Sequence, residues 1–251
     1  MIARAKSVGR VAAFFDLDGT LVPGPSLERR FFRELRRNHR IPLINYFDWA
    51  VEALCLLPQG PLAVQHANKR YLAGIHRDLV FRHMDSILFF EEGIARIAWH
   101  VRQGHEIVLV SGTLEVIAAL AASALECELE ARGLGIHTRV CATHLEERRG
   151  YWTGEVLGEA LYGAAKTRAL EALAKQDQLD LRECHAYGNS LLDRHFLCAV
   201  GHAHAVNPGR ELAALANQKN WPIWHWHVEQ QIASRENHYP GKEIHPIGGQ
   251  A

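Results

Sequence analysis

Two carboxylates lie two residues apart directly after a short apolar run. Asp16 and Asp18 follow Val11-Ala-Ala-Phe-Phe15, and Gly19 and Thr20 complete the segment Asp-Leu-Asp-Gly-Thr. Carboxylates this close repel each other unless a cation or a proton lies between them. They therefore indicate a hard divalent ion such as Mg²⁺, a raised pKa of one carboxyl, or both. The alternative is a solvated Asp turn with no catalytic function.

Three further polar segments contain residue types that bind ions. Hydroxyl and backbone N–H groups in Ser111-Gly112-Thr113 would bind an anion beside the positive end of a helix dipole. Asn189 offers an amide oxygen to a hard cation, and Asp193 would reach the same ion or orient one of its ligands. The ordinary alternative for both segments is a helix cap. Lys166 begins a predicted helix, and its alternative is a solvated surface lysine.

Short apolar runs that alternate with helical patterns predict a parallel α/β sheet. In such sheets ligands bind at the carboxyl ends of the strands, so the Asp, Ser and Asn segments should meet at one edge. A turn at 148–150 leads into a predicted return strand containing Tyr151-Trp152-Thr153. The predicted strands are 11–15, 106–110, 138–143, 184–187 and 202–206, and the predicted helices are 94–102, 114–129, 164–174 and 191–199.

A stretch between the first two strands has helical periodicity and no strand signal. We therefore expect a core domain of residues 1–23 and 91–251 and an all-helical cap of residues 24–90, inserted after the first strand. The end of the chain, towards Gly248 and Gly249, is predicted to be a frayed tail. The two predicted apolar stripes of the cap are Leu27, Phe31, Phe32 and Leu35, and Tyr46, Trp49, Ala50, Ala53 and Leu54.

The order of these segments resembles the haloacid dehalogenase-like hydrolase superfamily over residues 11–210. It is closest to the phosphoserine-phosphatase-like branch, subfamily IB, whose helical C1-type cap lies between the first and second motifs. The resemblance implies a Rossmann-like core. The stretch from Thr153-Gly154-Glu155-Val156 to Lys166 also looks like that branch. The motifs are Asp16-Leu-Asp-Gly-Thr20, Ser111-Gly-Thr113, Lys166 and Gly188-Asn-Ser-Leu-Leu-Asp193.

The resemblance implies a phosphatase that works through an aspartyl-phosphate. Asp16 would attack phosphorus, which divides one hard displacement into two steps. Asp18 would protonate the leaving alkoxide and then deprotonate the hydrolytic water. Mg²⁺ would screen the anionic phosphate from the attacking carboxylate. The implied metal ligands are Asp16, the Asp18 carbonyl and Asn189, the implied phosphate-binding groups are Ser111, Gly112 and Lys166, and the supporting residues are Thr20 and Asp193.

The sequence departs from the family pattern at two places. Asn189 stands where the fourth motif commonly has Asp, so we expect retained activity with weaker metal binding. Pro23-Gly24-Pro25-Ser26 replaces the region in which phosphoserine phosphatases have a Glu for the substrate ammonium, and Glu28 could substitute from the next helical turn. By resemblance the substrate is a small phosphomonoester, a phosphorylated amino acid or amino alcohol such as phosphoserine or histidinol phosphate.

Two other functions stay open. One is a protein that binds and senses a phosphometabolite without turnover, with Asn189 as the first sign of lost catalysis. The other is a lipid-phosphate phosphatase, because a dense basic run would bind an acidic substrate tail or an anionic headgroup. The ordinary alternative for this run is a solvated helix face. Its arginines are Arg29, Arg30, Arg33, Arg36, Arg37 and Arg40.

Composition argues for a soluble globular protein. The 251 residues include 28 Lys plus Arg against 28 Asp plus Glu, which leaves no net charge to attract nucleic acid or anionic membranes. The five Cys are scattered without a C-x-x-C pair, as is typical of reduced thiols. The apolar run 11–15 is too short for a signal peptide. We therefore expect a cytoplasmic protein with a small-molecule substrate and no nucleic-acid or membrane partner.

Sixteen His residues are the oddest feature of the composition. His202 and His204, like His225 and His227, are spaced to share one face of a strand, where each pair could bind a transition metal. Packing among aromatic residues and surface imidazoles explains the same spacing. The Trp/His run at 221–227 would also suit a homodimer contact.

Overall fold

The computed structural model describes residues 10–84 and 86–228. The first nine residues and the predicted tail with Gly248 and Gly249 lie outside the described residues. A six-stranded sheet forms the centre, in the order β3-β2-β1-β6-β7-β8, and all neighbouring strands in it are parallel. The strands are β1 Ala12–Phe15, β2 Glu106–Leu114, β3 Thr138–Thr143, β4 Leu145–Arg148, β5 Tyr151–Val156, β6 His185–Gly188, β7 His202–Val206 and β8 Ile223–Trp224.

Helices flank the sheet, so the predicted α/β fold is confirmed. The antiparallel pair β4 and β5 contains the predicted return strand. The sequence analysis did not predict β4, β8 or the last helix, Arg210–Lys219. The helices are α1 Leu27–Arg37, α2 Leu43–Leu56, α3 Pro61–Ala67, α4 Leu79–His83, α5 Glu91–Arg102, α6 Glu115–Ala131, α7 Ala164–Asp177, α8 Arg194–Cys198 and α9 Arg210–Lys219.

The first strand is buried on both faces, as its continuous apolar run predicts. Ala13 and Phe15 pack into one cluster with α1, α5 and α6. Ala12 and Phe14 pack into a second cluster with α7, α8 and α9. Successive residues of β1 thus face opposite sides of the sheet. The strand pairs with β2 and β6, and its carboxyl end leads directly to Asp16.

The regular elements described between residues 24 and 90 are helices, and α1 follows the predicted pattern. Leu27, Phe31 and Leu35 are fully buried, and Phe32 packs against the same cluster. This cluster continues into the sheet, so the cap and the sheet share one core. The domain boundaries themselves stay a prediction.

The predicted apolar stripe of α2 is wrong, because the helix turns a polar side inward. Its one buried residue is Asn45, which donates hydrogen bonds to the carbonyls of Tyr71 and Ala73 at 3.1 and 2.7 Å. These two bonds orient the helix, and five of its large apolar side chains are exposed to solvent. We call Leu43, Ile44, Phe47, Val51 and Leu54 the α2 apolar face; they are 86%, 61%, 65%, 44% and 68% exposed.

Within residues 10–84 and 86–228, no helix is both long and apolar enough to cross a membrane.

The turn before β7 has no room for a side chain at Gly201. A Cβ there would overlap the carbonyl oxygen of Arg182, which is rigid backbone. Gly201→Ala should therefore lower the free energy of unfolding by about 1–3 kcal/mol, measured by urea denaturation. Gly135→Ala is the control, because nothing lies within 4 Å of its added Cβ, and it should change stability by less than about 0.5 kcal/mol. Equal effects of the two substitutions would contradict this packing.

Candidate active site

The predicted site residues meet at the carboxyl edge of the sheet. The ends of β1, β2 and β6 and the start of α7 enclose a cavity of about 620 Å³. Thr20 does not line the cavity but hydrogen-bonds to a residue that does. The predicted residues that line it are Asp16, Asp18, Ser111, Gly112, Lys166, Asn189 and Asp193.

Asp16 is buried and held from three sides. Its backbone N–H donates to the Tyr187 carbonyl at 2.9 Å, which ties the end of β1 to β6. The Thr20 hydroxyl donates to Oδ2 at 2.9 Å, and Lys166 Nζ donates to Oδ1 at 2.5 Å. Burial raises the pKa of Asp16 to about 7, with Lys166 opposing the rise and Asp193 and Asp18 adding to it. The carboxylate thus lies in a low-dielectric site beside two others, which is the environment that a divalent cation stabilises.

Asp18 lies on the cap side of the cavity. Its Oδ1 accepts a hydrogen bond from the Leu27 backbone N–H at 2.8 Å, at the start of α1. Burial raises the pKa of Asp18, the Leu27 hydrogen bond lowers it, and the nearby charge of Glu28 raises it. A carboxyl with a raised pKa is suited to hold and release a proton.

Lys166 is not a surface lysine, so the ordinary alternative for it is wrong. It is 5% exposed, and its Nζ lies 2.5 Å from Asp16 Oδ1 and 2.8 Å from Asp193 Oδ1. Burial alone would lower its pKa, but the two carboxylates reverse this and raise it. The lysine therefore stays a cation between two buried anions.

The segment Ser111-Gly112-Thr113 is not the simple loop that the sequence predicts. The strand β2 continues to Leu114, and α6 begins only at Glu115. Val110 pairs with Cys141 and Leu114 with Thr143, so three residues of β2 oppose one of β3 and bulge from the ladder. The bulge turns the segment into the cavity. Its Ser111 Oγ accepts the Thr113 N–H at 3.2 Å.

Asn189 and Asp193 belong to a tight turn after β6. Asp193 Oδ2 accepts hydrogen bonds from the Asn189 N–H, the Ser190 N–H and the Ser190 hydroxyl at 3.3, 3.1 and 3.0 Å. The predicted cap structure is thus present, and the same aspartate also pairs with Lys166. The Asn189 amide packs directly against Gly19, where any Cβ would overlap it. Asn189 therefore lies against the loop that contains both Asp16 and Asp18.

The donor set at this edge fits Mg²⁺. Asp16, Asp18 and Asn189 supply carboxylate, carbonyl and amide oxygens, which are the ligands that hard cations prefer. The excess of buried carboxylates around Asp16 leaves negative charge that Lys166 alone does not balance. The amide at Asn189 supplies one formal charge less than an Asp would.

The cap supplies a second charged cluster, around the Glu28 that the sequence suggested as a ligand for the substrate ammonium. Lys69 Nζ lies 2.5 Å from Glu28 Oε1, and the Tyr71 hydroxyl donates to the same oxygen at 2.7 Å. Lys69 is 3% exposed, and all three residues line the cavity. The partners are 41 and 43 residues apart, so no local spacing could have predicted the cluster. The cap also lines the cavity with the aromatic rings of Phe32, Tyr46, Trp49 and His66, and Tyr162 lines it from the segment before α7.

The fold and the site together define the class of protein. A parallel α/β sheet that places paired aspartates, a buried lysine and an asparagine at its carboxyl edge is an enzyme scaffold. The sequence model of the haloacid dehalogenase-like hydrolases matches residues 13–197, so the chain belongs to this family.

Its relatives include phosphatases. Phosphoserine phosphatase SerB1 of Mycobacterium tuberculosis is 31% identical over 242 residues, which cover 88% of this chain and 73% of the relative. The inhibition of morphological differentiation protein of Streptomyces azureus is 30% identical over 256 residues, covering 96% and 86%. The chain is a phosphatase of this family, as the resemblance of its motifs predicted.

Solved structures confirm the fold. A protein of unknown function from Bordetella pertussis Tohama I matches with a TM-score of 0.63 and 22% identity, covering 86% of this chain and 98% of that one. A phosphoserine phosphatase in apo form matches with a TM-score of 0.59 and 20% identity, covering 86% and 93%.

Proposed function

We propose that the protein is a Mg²⁺-dependent phosphatase that hydrolyses a small phosphomonoester through an aspartyl-phosphate on Asp16. The substrate class that we propose is a phosphorylated amino acid or amino alcohol. The observation that carries the proposal is the buried arrangement of Asp16, Lys166 and Asp193 in one cavity with Asp18. Phosphate release from a panel of phosphomonoesters, with Mg²⁺ and with EDTA, tests it.

In the first step a carboxylate oxygen of Asp16 forms a bond to phosphorus while the ester oxygen of the substrate leaves. Thr20 and Lys166 each hold one oxygen of the nucleophile, so its orientation is fixed before the substrate binds. Asp18 in its protonated form gives its proton to the leaving alkoxide, for which its raised pKa is suited. Asp16, the Asp18 carbonyl and Asn189 would hold Mg²⁺, which would supply positive charge that screens the phosphate from the attacking carboxylate.

In the second step Asp18, now a carboxylate, accepts a proton from a water molecule that attacks phosphorus. The bond between phosphorus and Asp16 breaks, inorganic phosphate leaves, and Asp18 is again protonated. Lys166, Ser111 and the Gly112 N–H hold the phosphoryl oxygens in both steps. Asp193 acts through Lys166 by keeping it charged and in place.

The cap cluster supports an amino group on the substrate. Glu28 lies beside Asp18, which contacts the leaving alkoxide, so Glu28 is near the part of the substrate that follows the ester oxygen. Its carboxylate suits an ammonium group, and Lys69 on the same oxygen suits a carboxylate. A phosphorylated amino acid carries both charges. The cluster therefore takes the role for which the sequence had suggested Glu28 alone.

Glu28→Gln should lower kcat/KM for phosphoserine by about 10- to 100-fold, because it removes a charge-assisted hydrogen bond to the ammonium. The effect should fall mainly on KM. Hydrolysis of p-nitrophenyl phosphate, which has no amino group, should change little and so controls for folding. Glu34→Gln on the same helix is the matched control variant. Equal losses for both substrates would show that Glu28 does not bind the amino group.

A second candidate, a lipid-phosphate phosphatase, is favoured by the α2 apolar face. Five large apolar side chains lie exposed on one helix whose buried position is polar. Arg36, Arg37 and Arg40 are exposed just before this helix. An apolar face beside a basic cluster is the pattern of a helix that lies in an anionic lipid surface.

The charge and the position of the α2 apolar face both favour a lipid membrane, rather than a second copy of the chain, as its binding partner. In a two-fold dimer formed through this face, the basic cluster of one copy would lie near the same cluster of the other copy, and the like charges would repel each other. Anionic lipid headgroups would instead attract the arginines. Tyr46 and Trp49 of the same helix line the active-site cavity. A membrane bound to α2 would therefore lie next to the opening of the active-site cavity. Net charge gave no sign of this local feature.

Phe47→Ser combined with Leu54→Ser should abolish binding to vesicles of phosphatidylcholine and phosphatidylglycerol. The wild type should bind, and more salt should weaken binding by screening the arginines. Leu157→Ser, at an exposed leucine outside α2, should bind normally. Cosedimentation measures binding, and light scattering measures mass. Absence of wild-type binding, or a dimer that the α2 substitutions dissociate, would contradict this candidate function.

A further inference from the structure

Three histidines come together at the amino edge of the sheet, away from the active-site cavity. His105 directly precedes β2, His185 is the first residue of β6, and His100 lies on α5. Each offers a ring nitrogen, and the three nitrogens all lie within 4.8 Å of one another. The Nδ1 atoms of His100 and His105 are 2.9 Å apart. Asp16 and Asn189 follow the opposite, carboxyl ends of the strands, so this cluster is separate from the catalytic residues.

We propose that His100, His105 and His185 form a binding site for a divalent transition-metal ion, with Zn²⁺ as the best fit. Neutral imidazole nitrogens suit Zn²⁺, Ni²⁺ and Cu²⁺, whereas Mg²⁺ takes oxygen ligands. Three protein nitrogens leave the fourth position of a tetrahedral zinc ion open to water or a small anion. The site thus differs in chemistry from the Mg²⁺ site proposed above.

The spacing of the nitrogens is close to that of a metal site. Zinc–nitrogen bonds of about 2.0–2.1 Å at a tetrahedral angle place two ligand nitrogens about 3.3 Å apart. The pair formed by His100 and His105 needs to open by only a few tenths of an ångström, and His185 needs to move inward. Both His105 and His185 are partly exposed, so an ion and its water can reach them from solvent.

The rings are held by further contacts, as metal-binding imidazoles usually are. The Tyr187 hydroxyl lies 2.9 Å from His100 Nε2, which leaves Nδ1 of that ring for an ion. The His185 ring stacks between His105 and His202, with centroids 5.5 and 4.6 Å away. His204 Nε2 lies 3.2 Å from His185 Nδ1. These contacts limit the motion of the ligands.

The protonation state also suits a metal. Burial lowers the pKa of His100 to about 2 and that of His185 to about 4, and it lowers the pKa of His105. The rings are therefore neutral at neutral pH, so each has one ring nitrogen without a proton that can bind an ion. Arg96 lies near His100 and His185 and adds a positive charge that opposes a cation. We therefore expect micromolar rather than tighter binding.

The ligand set differs from the pairs that the sequence suggested. His202 and His204 lie on β7 and pack against His185, so they surround the ligands rather than form a pair of their own. His225 and His227 are exposed on either side of the buried Trp226. His100 and His105 are five residues apart, but the third ligand, His185, comes from a distant strand, so a search for local spacing does not detect the complete site.

Titration of the tag-free, EDTA-treated full chain with Co²⁺ and Zn²⁺ tests the site. We expect visible Co²⁺ bands of a tetrahedral nitrogen site, displaced by Zn²⁺ and unaffected by excess Mg²⁺. His105→Ala should weaken Zn²⁺ binding by at least about 10-fold in calorimetry. The His225→Ala/His227→Ala double variant and Asp16→Asn should bind as the wild type does.

Three results would overturn the proposal. They are no Co²⁺ bands in the wild type, unchanged binding in His105→Ala, and competition by Mg²⁺. Because His105 is partly exposed, its substitution should leave the chain folded, which circular dichroism verifies. Should His105→Ala unfold, His105→Gln replaces it, with the same loss expected. None of these readouts depends on phosphatase activity, so failure of this site and failure of the proposed function are distinguishable.

Discussion

Asp16→Asn should lower kcat/KM by at least about 10³-fold for every phosphomonoester that the enzyme hydrolyses. The amide has the size and hydrogen-bonding reach of the carboxylate, so the cavity keeps its shape. It lacks the nucleophilic oxygen anion, and no aspartyl-phosphate can form. Substrate binding should survive, because Lys166, Ser111 and Gly112 remain. The loss should therefore appear in kcat, measured as phosphate release with Mg²⁺ present.

Asp48→Asn is the matched control for this prediction. Asp48 is exposed on α2, and the same loss of charge there should leave kcat unchanged. A variant at Asp16 that keeps more than about a tenth of the activity would remove Asp16 as the nucleophile. A folded wild type that binds phosphate and releases none from any substrate would favour the sensing protein.

Lys166→Met should damage both stability and catalysis. The thioether side chain is similar in length but uncharged, so Asp16 and Asp193 would stay buried without a cation between them. Removal of one partner from a buried ion pair costs about 3–5 kcal/mol, and we expect a loss of about 3 kcal/mol in the free energy of unfolding. The phosphoryl oxygens also lose a cation, so kcat/KM should fall by about 10²- to 10³-fold.

Lys175→Met, on the same helix α7, is the control for the effect that replacing a lysine by methionine has on helix propensity. Lys175 is exposed near the end of α7, and its substitution should change stability by less than about 0.5 kcal/mol. Urea denaturation and phosphate release measure the two quantities. If Lys166→Met is as stable as Lys175→Met, the buried lysine does not hold the two aspartates as the structure indicates.

The position of the candidate site at one edge of the sheet could be predicted because its residues follow strands. The apolar run before Asp16 and the runs before Ser111 and Asn189 indicate buried parallel strands, and the ends of such strands meet at one edge. The position of Lys166 was predicted by resemblance, but its burial was not. Burial depends on Asp16 and Asp193 approaching from other elements, and this information is absent from the local sequence.

Other features depend on tertiary contacts that periodicity does not report. A helical pattern is taken to place its apolar side inward, yet the carbonyls of Tyr71 and Ala73 bind Asn45 and turn α2 the other way. The contact of Glu28 with Lys69 depends on packing across the cap.

The bulge at 111–113 has a similar origin. It follows from the register of β2 against β3, which one strand alone does not encode.

Chemical trapping of the phosphorylated residue tests the central claim most directly. The enzyme is quenched in acid during turnover of a ³²P-labelled phosphomonoester, and borohydride then reduces any acyl phosphate to the alcohol. We predict label that survives the cold acid quench and is released by hydroxylamine, and a homoserine at position 16 by peptide mass spectrometry, both lost in Asp16→Asn. Label on a histidine or serine, or reduction at Asp18 instead, would contradict the account.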